Sequence, residues 1–220
     1  MKRLIHAVSI CAVVLAAIAI VPTFASAKPA TTCNGTPLAP GTYTSVVVPD
    51  NGVCIIRSGP LTINAGLTIG AGATFVFGDQ ETPEQTATIN GGVHATNAMN
   101  VEIHFATING GVDIHGGPGV RFGGPFGVTY QTIEDSVIHG GVTIEGYNGF
   151  WMGFIRNTVY GPVNLNDNVL GDEDGNEYVT NTIYGTLNCT GNDPAPQVGD
   201  SEGSPDVVTG PVTGQCTAVV

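Results

Sequence analysis

Lysine is nearly missing from this 220-residue chain: Lys2 and Lys28 are the only two, and with four arginines they face 18 carboxylates. Charged residues make up 11% of the sequence, under half the usual share. Long solvated helices, which rely on charge pairs three and four residues apart, are therefore excluded. Nucleic acid is excluded as a partner too, because a phosphate backbone needs clustered cations and the formal net charge is −12. Glycine is abundant, at 32 residues, yet it does not recur at every third position, which excludes collagen. Hydrophobic residues at 42% suffice for a core, so general disorder is excluded as well. The length suits one domain.

Lys2 and Arg3 precede an apolar run over residues 4–21, and Ala25-Ser26-Ala27 follows it. This is the three-part pattern of a secretory signal peptide cleaved after Ala27. An uncleaved membrane anchor is the competing reading, since the run approaches spanning length. The expected division is a leader at 1–27 and a secreted or cell-surface chain at 28–220, with no membrane contact after cleavage. Cleavage removes Cys11 and leaves Cys33, Cys54, Cys189 and Cys216, which in an exported protein point to two disulfides. Three connectivities are open. Cys33–Cys54 with Cys189–Cys216 is favoured because it places one staple near each end. Zinc is the alternative, and no C-x-x-C spacing supports it.

The organising feature is an internal repeat. Six segments share one frame: Ile89-Asn-Gly-Gly-Val93, Ile108-Asn-Gly-Gly-Val112, Ile138-His-Gly-Gly-Val142, Val159-Tyr-Gly-Pro-Val163, Ile183-Tyr-Gly-Thr-Leu187 and Val208-Thr-Gly-Pro-Val212. Their starts are 19, 30, 21, 24 and 25 residues apart. Apolar residues fall at offsets zero, four and usually six, on one side of an extended chain. The glycine at offset two either shares that inward side or marks a bend. The same alternation runs through Leu61, Ile63, Ala65, Leu67, Ile69, Ala71, Ala73, Phe75 and Phe77, and through Val101, Ile103 and Phe105.

Fixed strands with variable loops bury their apolar side by stacking coil on coil. The expected fold is all-β: a single-domain right-handed parallel β-helix with irregular coils of about 19–30 residues, stapled at both ends. Residues 28–60 form a capping coil, 61–188 the central coils, and 189–220 a disulfide-closed segment. A β-sandwich is the alternative, because hairpin signals occur at Asn51-Gly52 and Asp174-Gly175. Cys189 sits at offset six but Cys216 at offset eight of the next frame, so a bulge or turn has to absorb two residues.

The closing stretch reads Leu187-Asn-Cys-Thr-Gly-Asn-Asp-Pro-Ala-Pro196, an acidic Gly/Ser loop, then Val208-Thr-Gly-Pro-Val-Thr-Gly-Gln-Cys216. It resembles the ending of a group of small exported actinobacterial proteins with right-handed β-helix repeats, generally uncharacterised. The resemblance spans most of residues 28–220 and implies the same fold and the Cys189–Cys216 bridge. Several Gly-Asn turns of that group are here Gly-Gly, Gly-Pro or Gly-Thr. No catalytic residues are implied.

Catalytic signatures are sparse. There is no Asp-Asp pair and no Arg-x-Lys, and Arg57, Arg121 and Arg156 lie in unrelated contexts. His94, His104, His115 and His139 read as scattered exposed histidines. Asp172, Asp174 and Glu177 form an oxygen-rich segment that could hold calcium, but the EF-hand pattern is incomplete, and a solvated acidic loop is the competing reading. Stacked coils would align offset one as Asn90, Asn109, His139, Tyr160, Tyr184 and Thr209. Within it Asn109, His139, Tyr160 and Tyr184 form a candidate glycan-binding strip, against the simpler reading of a ladder that stabilises coils. The expected function is therefore a non-enzymatic structural or adhesive module on the cell surface or outside the cell, presenting a polar face to polysaccharide or cell-wall glycan. No cofactor other than calcium is expected. The rival is a lyase or glycoside hydrolase acting on extracellular polyuronates.

Overall fold

The computed structural model describes residues 29–198 and 203–220. The expected leader at 1–27, together with Asp200 and Glu202, lies outside the described residues. The chain winds as a parallel β-solenoid of about seven turns. Each turn passes through three sheets in a fixed order. The first sheet has eight strands, from Gly41–Tyr43 to Val207–Val208. The second has nine, from Thr31–Thr32 to Val212–Gly214. The third has six, from Val53–Ile56 to Asn176–Val179. Every pairing is between successive coils and parallel, so the β-sandwich alternative is overturned.

The six repeats stack in register. Ile89, Ile108, Ile138, Val159, Ile183 and Val208 are direct neighbours up the first sheet. Val93, Val112, Val142, Val163, Leu187 and Val212 do the same in the second. The glycine at offset two is the corner between these sheets, where coils pass too closely for a side chain: a Cβ on Gly91 would sit 2.3 Å from the carbonyl carbon of Ala65. This corner and the others reset the alternation. Ala65 and Ala71 are therefore exposed, and Phe105 stands half-buried at a corner with φ 51°, so none of the three points into the shaft.

Both expected disulfides are present, Cys33–Cys54 and Cys189–Cys216. The two-residue mismatch at the second is absorbed by a 3-10 turn, Gln215–Ala218: Cys189 pairs laterally with Gly214, and the turn brings Cys216 back into the core. Polar ladders hold the corners. Between the third and first sheets the N–H of Ala106 bonds the Ser136 hydroxyl, that of Ser136 the Asn157 amide oxygen, that of Asn157 Asn181, and that of Asn181 the Asp206 carboxylate. Each buried amide thus satisfies a backbone group on the coil before it. Among the described residues no helix is long and apolar enough to cross a membrane.

Candidate ligand-binding cleft

The irregular lengths of the repeat are taken up beside the third sheet. Residues 116–129, 146–150 and 167–175 all lie between a strand of the second sheet and the next strand of the third, and residues 78–86 follow Thr74–Phe77. Three of these segments, 78–86, 116–129 and 146–150, wall the outer face of the third sheet, leaving a cavity of about 460 Å3 lined by Asp79, Gln80, Glu102, His104, Val128, Tyr130, Thr132, Glu134, Phe150 and Trp151.

Period two turns Val101, Ile103 and Ile133 into the shaft and Glu102, His104, Thr132 and Glu134 outward. Although outward-facing, Glu102, His104 and Glu134 are only 9%, 4% and 6% exposed. Buried charge demands partners, and each has them. Glu102 accepts hydrogen bonds from the Tyr130 hydroxyl at 2.6 Å and Arg57 at 3.4 Å, and its Oε1 lies 3.3 Å from His104 Nε2. Glu134 accepts from Thr132 at 2.7 Å and Arg156 at 2.6 Å, and Arg156 also bonds Asp135 through two nitrogens. Burial pushes the Glu102 carboxyl up, but the His104 and Tyr130 hydrogen bonds, with the Arg57 charge, outweigh it and hold the group below the usual carboxylate range. Burial and the Glu102 bond raise the Tyr130 phenol, which keeps its proton and donates it.

Trp151 supplies the floor. It is the only tryptophan of the chain, and the benzo edge of its ring packs against Gly153. Its Nε1–H donates to Glu177 Oε1 at 3.0 Å, pinning one edge. Aromatic side chains flank it: Phe150 meets the exposed Phe122 at a centroid distance of 5.4 Å, and Tyr130 meets Phe126 at 5.5 Å.

The expected site residues are distributed differently. Asn109, His139, Tyr160 and Tyr184 do share one outward ladder of the first sheet. The Asn109 amide donates to Asn90 at 2.9 Å, and the His139, Tyr160 and Tyr184 rings stack at 5.0 Å with interplanar angles of 10° and 9°. Tyr160 is thus stacked on both faces, and His139 and Tyr184 on one each. Asp172, Asp174 and Glu177 are not gathered on a common point. The carboxylate of Asp172 accepts from the Asp174 backbone in a turn, and Glu177 holds the indole. Among the described residues the one set of three metal-capable groups with ligand atoms within 4.8 Å is His104, Glu134 and Asp135, and there the Arg156 guanidinium already supplies the positive charge.

His104 is not a scattered exposed histidine but a buried one, and Glu102, Glu134 and Trp151 were not singled out by spacing or motif. The available signal was the alternation itself: Glu102 and His104, on either side of the inward Ile103, have to lie outside, and the longest gap between repeats follows them. No protein-family model, no curated protein and no solved structure matches the chain, so the function is argued from this geometry alone.

Proposed function

We propose that the protein is an exported, non-enzymatic β-solenoid that binds a glycan in the third-sheet cleft and serves as a structural or adhesive module at the cell surface. One observation carries this reading: the Trp151 indole lines the cleft with its benzo edge packed against Gly153 and its Nε1–H fixed by Glu177. Sugars bury their apolar C–H face on such a ring while hydroxyls find amides and carboxylates at its margin. Two disulfides suit an oxidising compartment, and the leader-like segment at 1–27 supports export. The cleft is preferred over the Tyr160 and Tyr184 ladder because Tyr160 is stacked on both faces and Tyr184 on one. The test is titration of the chain from residue 28 onward with a panel of cell-wall and extracellular oligosaccharides, read by the fluorescence of its single tryptophan. Trp151→Ala should abolish binding measured calorimetrically, whereas Tyr160→Ala and Tyr184→Ala should leave it unchanged. The reverse pattern would return the site to the first sheet.

The second reading is a glycoside hydrolase or lyase. It is favoured by Glu102, a buried carboxylate with a perturbed pKa and a histidine partner inside a cleft. Reducing or unsaturated sugar released by the parent and lost in Glu102→Gln establishes it.

A further inference from the structure

We infer that the glycan taken by this cleft carries free amino groups, as a glucosamine-type polymer does; the inference rests on the glycan reading and adds the charge class of the ligand. The lining supplies three carboxylates, Asp79, Glu102 and Glu134, and no lysine or arginine. Arg57 and Arg156 reach these carboxylates, but Asp135 and Glu177 stand alongside, so five acids meet two guanidinium groups. With a formal charge of −12 on the whole chain, the field at the cleft attracts cations and repels polyanions.

Hydrogen-bonding capacity points the same way. Glu102 is held ionised and only accepts, so the His104 Nε2 facing it at 3.3 Å carries a proton. Its Nδ1 faces the second carboxylate, Glu134. This atom is buried, has no hydrogen-bond partner, and lies 4.0 Å from Glu134 Oε2. The carboxylate lone pairs gathered here are complementary to a group with several N–H donors. An ammonium group has three. A uronate carboxylate has none, and would bring a like charge into a site already rich in it. The aromatic walls add to the selection, because Trp, Tyr and Phe faces attract an ammonium group through the ring quadrupole. A polyuronate, the ligand expected of the rival enzyme reading, is thus the least suited of the common glycan classes.

The experiment compares three oligomers of equal length with the full chain from residue 28: β-linked glucosamine, its fully N-acetylated form, and oligogalacturonate. Calorimetry and tryptophan fluorescence are read at a mildly acidic pH that protonates the sugar amine. The expected order is glucosamine above N-acetylglucosamine by about tenfold, the worth of one charge-assisted hydrogen bond, with affinity falling as salt rises and no binding of the uronate. Asp79→Asn, at a half-exposed carboxylate on the cleft margin, should reduce glucosamine binding several-fold without altering the far-UV circular dichroism. Equal affinity for the acetylated and free oligomers, or preference for the uronate, overturns the charge selection while the glycan reading stands. Failure of all three to bind, when the wider glycan panel also gives no tryptophan response, removes both.

Discussion

Gly153 shows how one residue sets the floor of the cleft. It occupies the outward column of the third sheet between Thr132 and Glu177, where any side chain would rise into the cleft. A Cβ there would lie 2.3 Å from Cη2 of Trp151 and 3.0 Å from Cζ2 and Cζ3. Because the obstruction is the benzo edge of an indole pinned by Glu177, Gly153→Ala has to displace the rigid ring rather than shift a flexible tip. Expected are a red-shifted emission maximum and a glycan affinity lower by about tenfold, equivalent to losing a good aromatic contact. The inward face of the strand is untouched, so unfolding in urea should change by no more than about 1 kcal/mol. Unaltered emission in this variant would mean that the ring is not held where the platform requires it.

At the scale of an element, the corner ladder ends on an acid. Ser136, Asn157, Asn181 and Asp206 each accept from the backbone of the preceding coil, but only Asp206 can ionise. Burial pushes its carboxyl up to about 7 against the opposing pull of two bonds from Asn181, and its Oδ2 has no hydrogen-bond partner. The folded chain therefore keeps a proton that the unfolded chain, with a carboxyl near 3.8, has already released. Stability from this rung is complete below the unfolded value and is lost as pH rises through about 7. Asp206→Asn keeps the acceptor for Asn181 and removes the charge. Relative to the parent it should gain stability between pH 4.5 and 8, on the order of 2–4 kcal/mol, as measured by urea unfolding at both pH values. Parallel pH profiles for parent and variant would show that the carboxyl is not buried as described.

Over the whole molecule, a solenoid passes stability from coil to coil, and its terminal coils have a neighbour on one side only. The two bridges sit at those ends, spanning separations of 21 and 27 residues. Replacing either cysteine pair by alanine should cost about 3 kcal/mol in urea unfolding. The effects should add to within about 0.5 kcal/mol in the quadruple variant, because the pairs share no partner. Strong non-additivity would mean that the coils unfold as one cooperative unit whose ends communicate. What the order of residues determined by itself was the shaft. Isoleucine, glycine and valine recurring at offsets zero, two and four predict columns that stack in register, and the Cys189–Cys216 offset predicts the turn that closes them. Parity could be followed only between corners, which is why Ala65, Ala71 and Phe105 were expected to point inward and do not. The cleft was decided by tertiary structure. Glu102 with His104, then Glu134, then Trp151 lie on three successive coils outside the repeated frame, in loop-flanked strands whose spacing varies. Their approach to one another depends on lateral stacking of coils, a distance that no local pattern along the chain encodes.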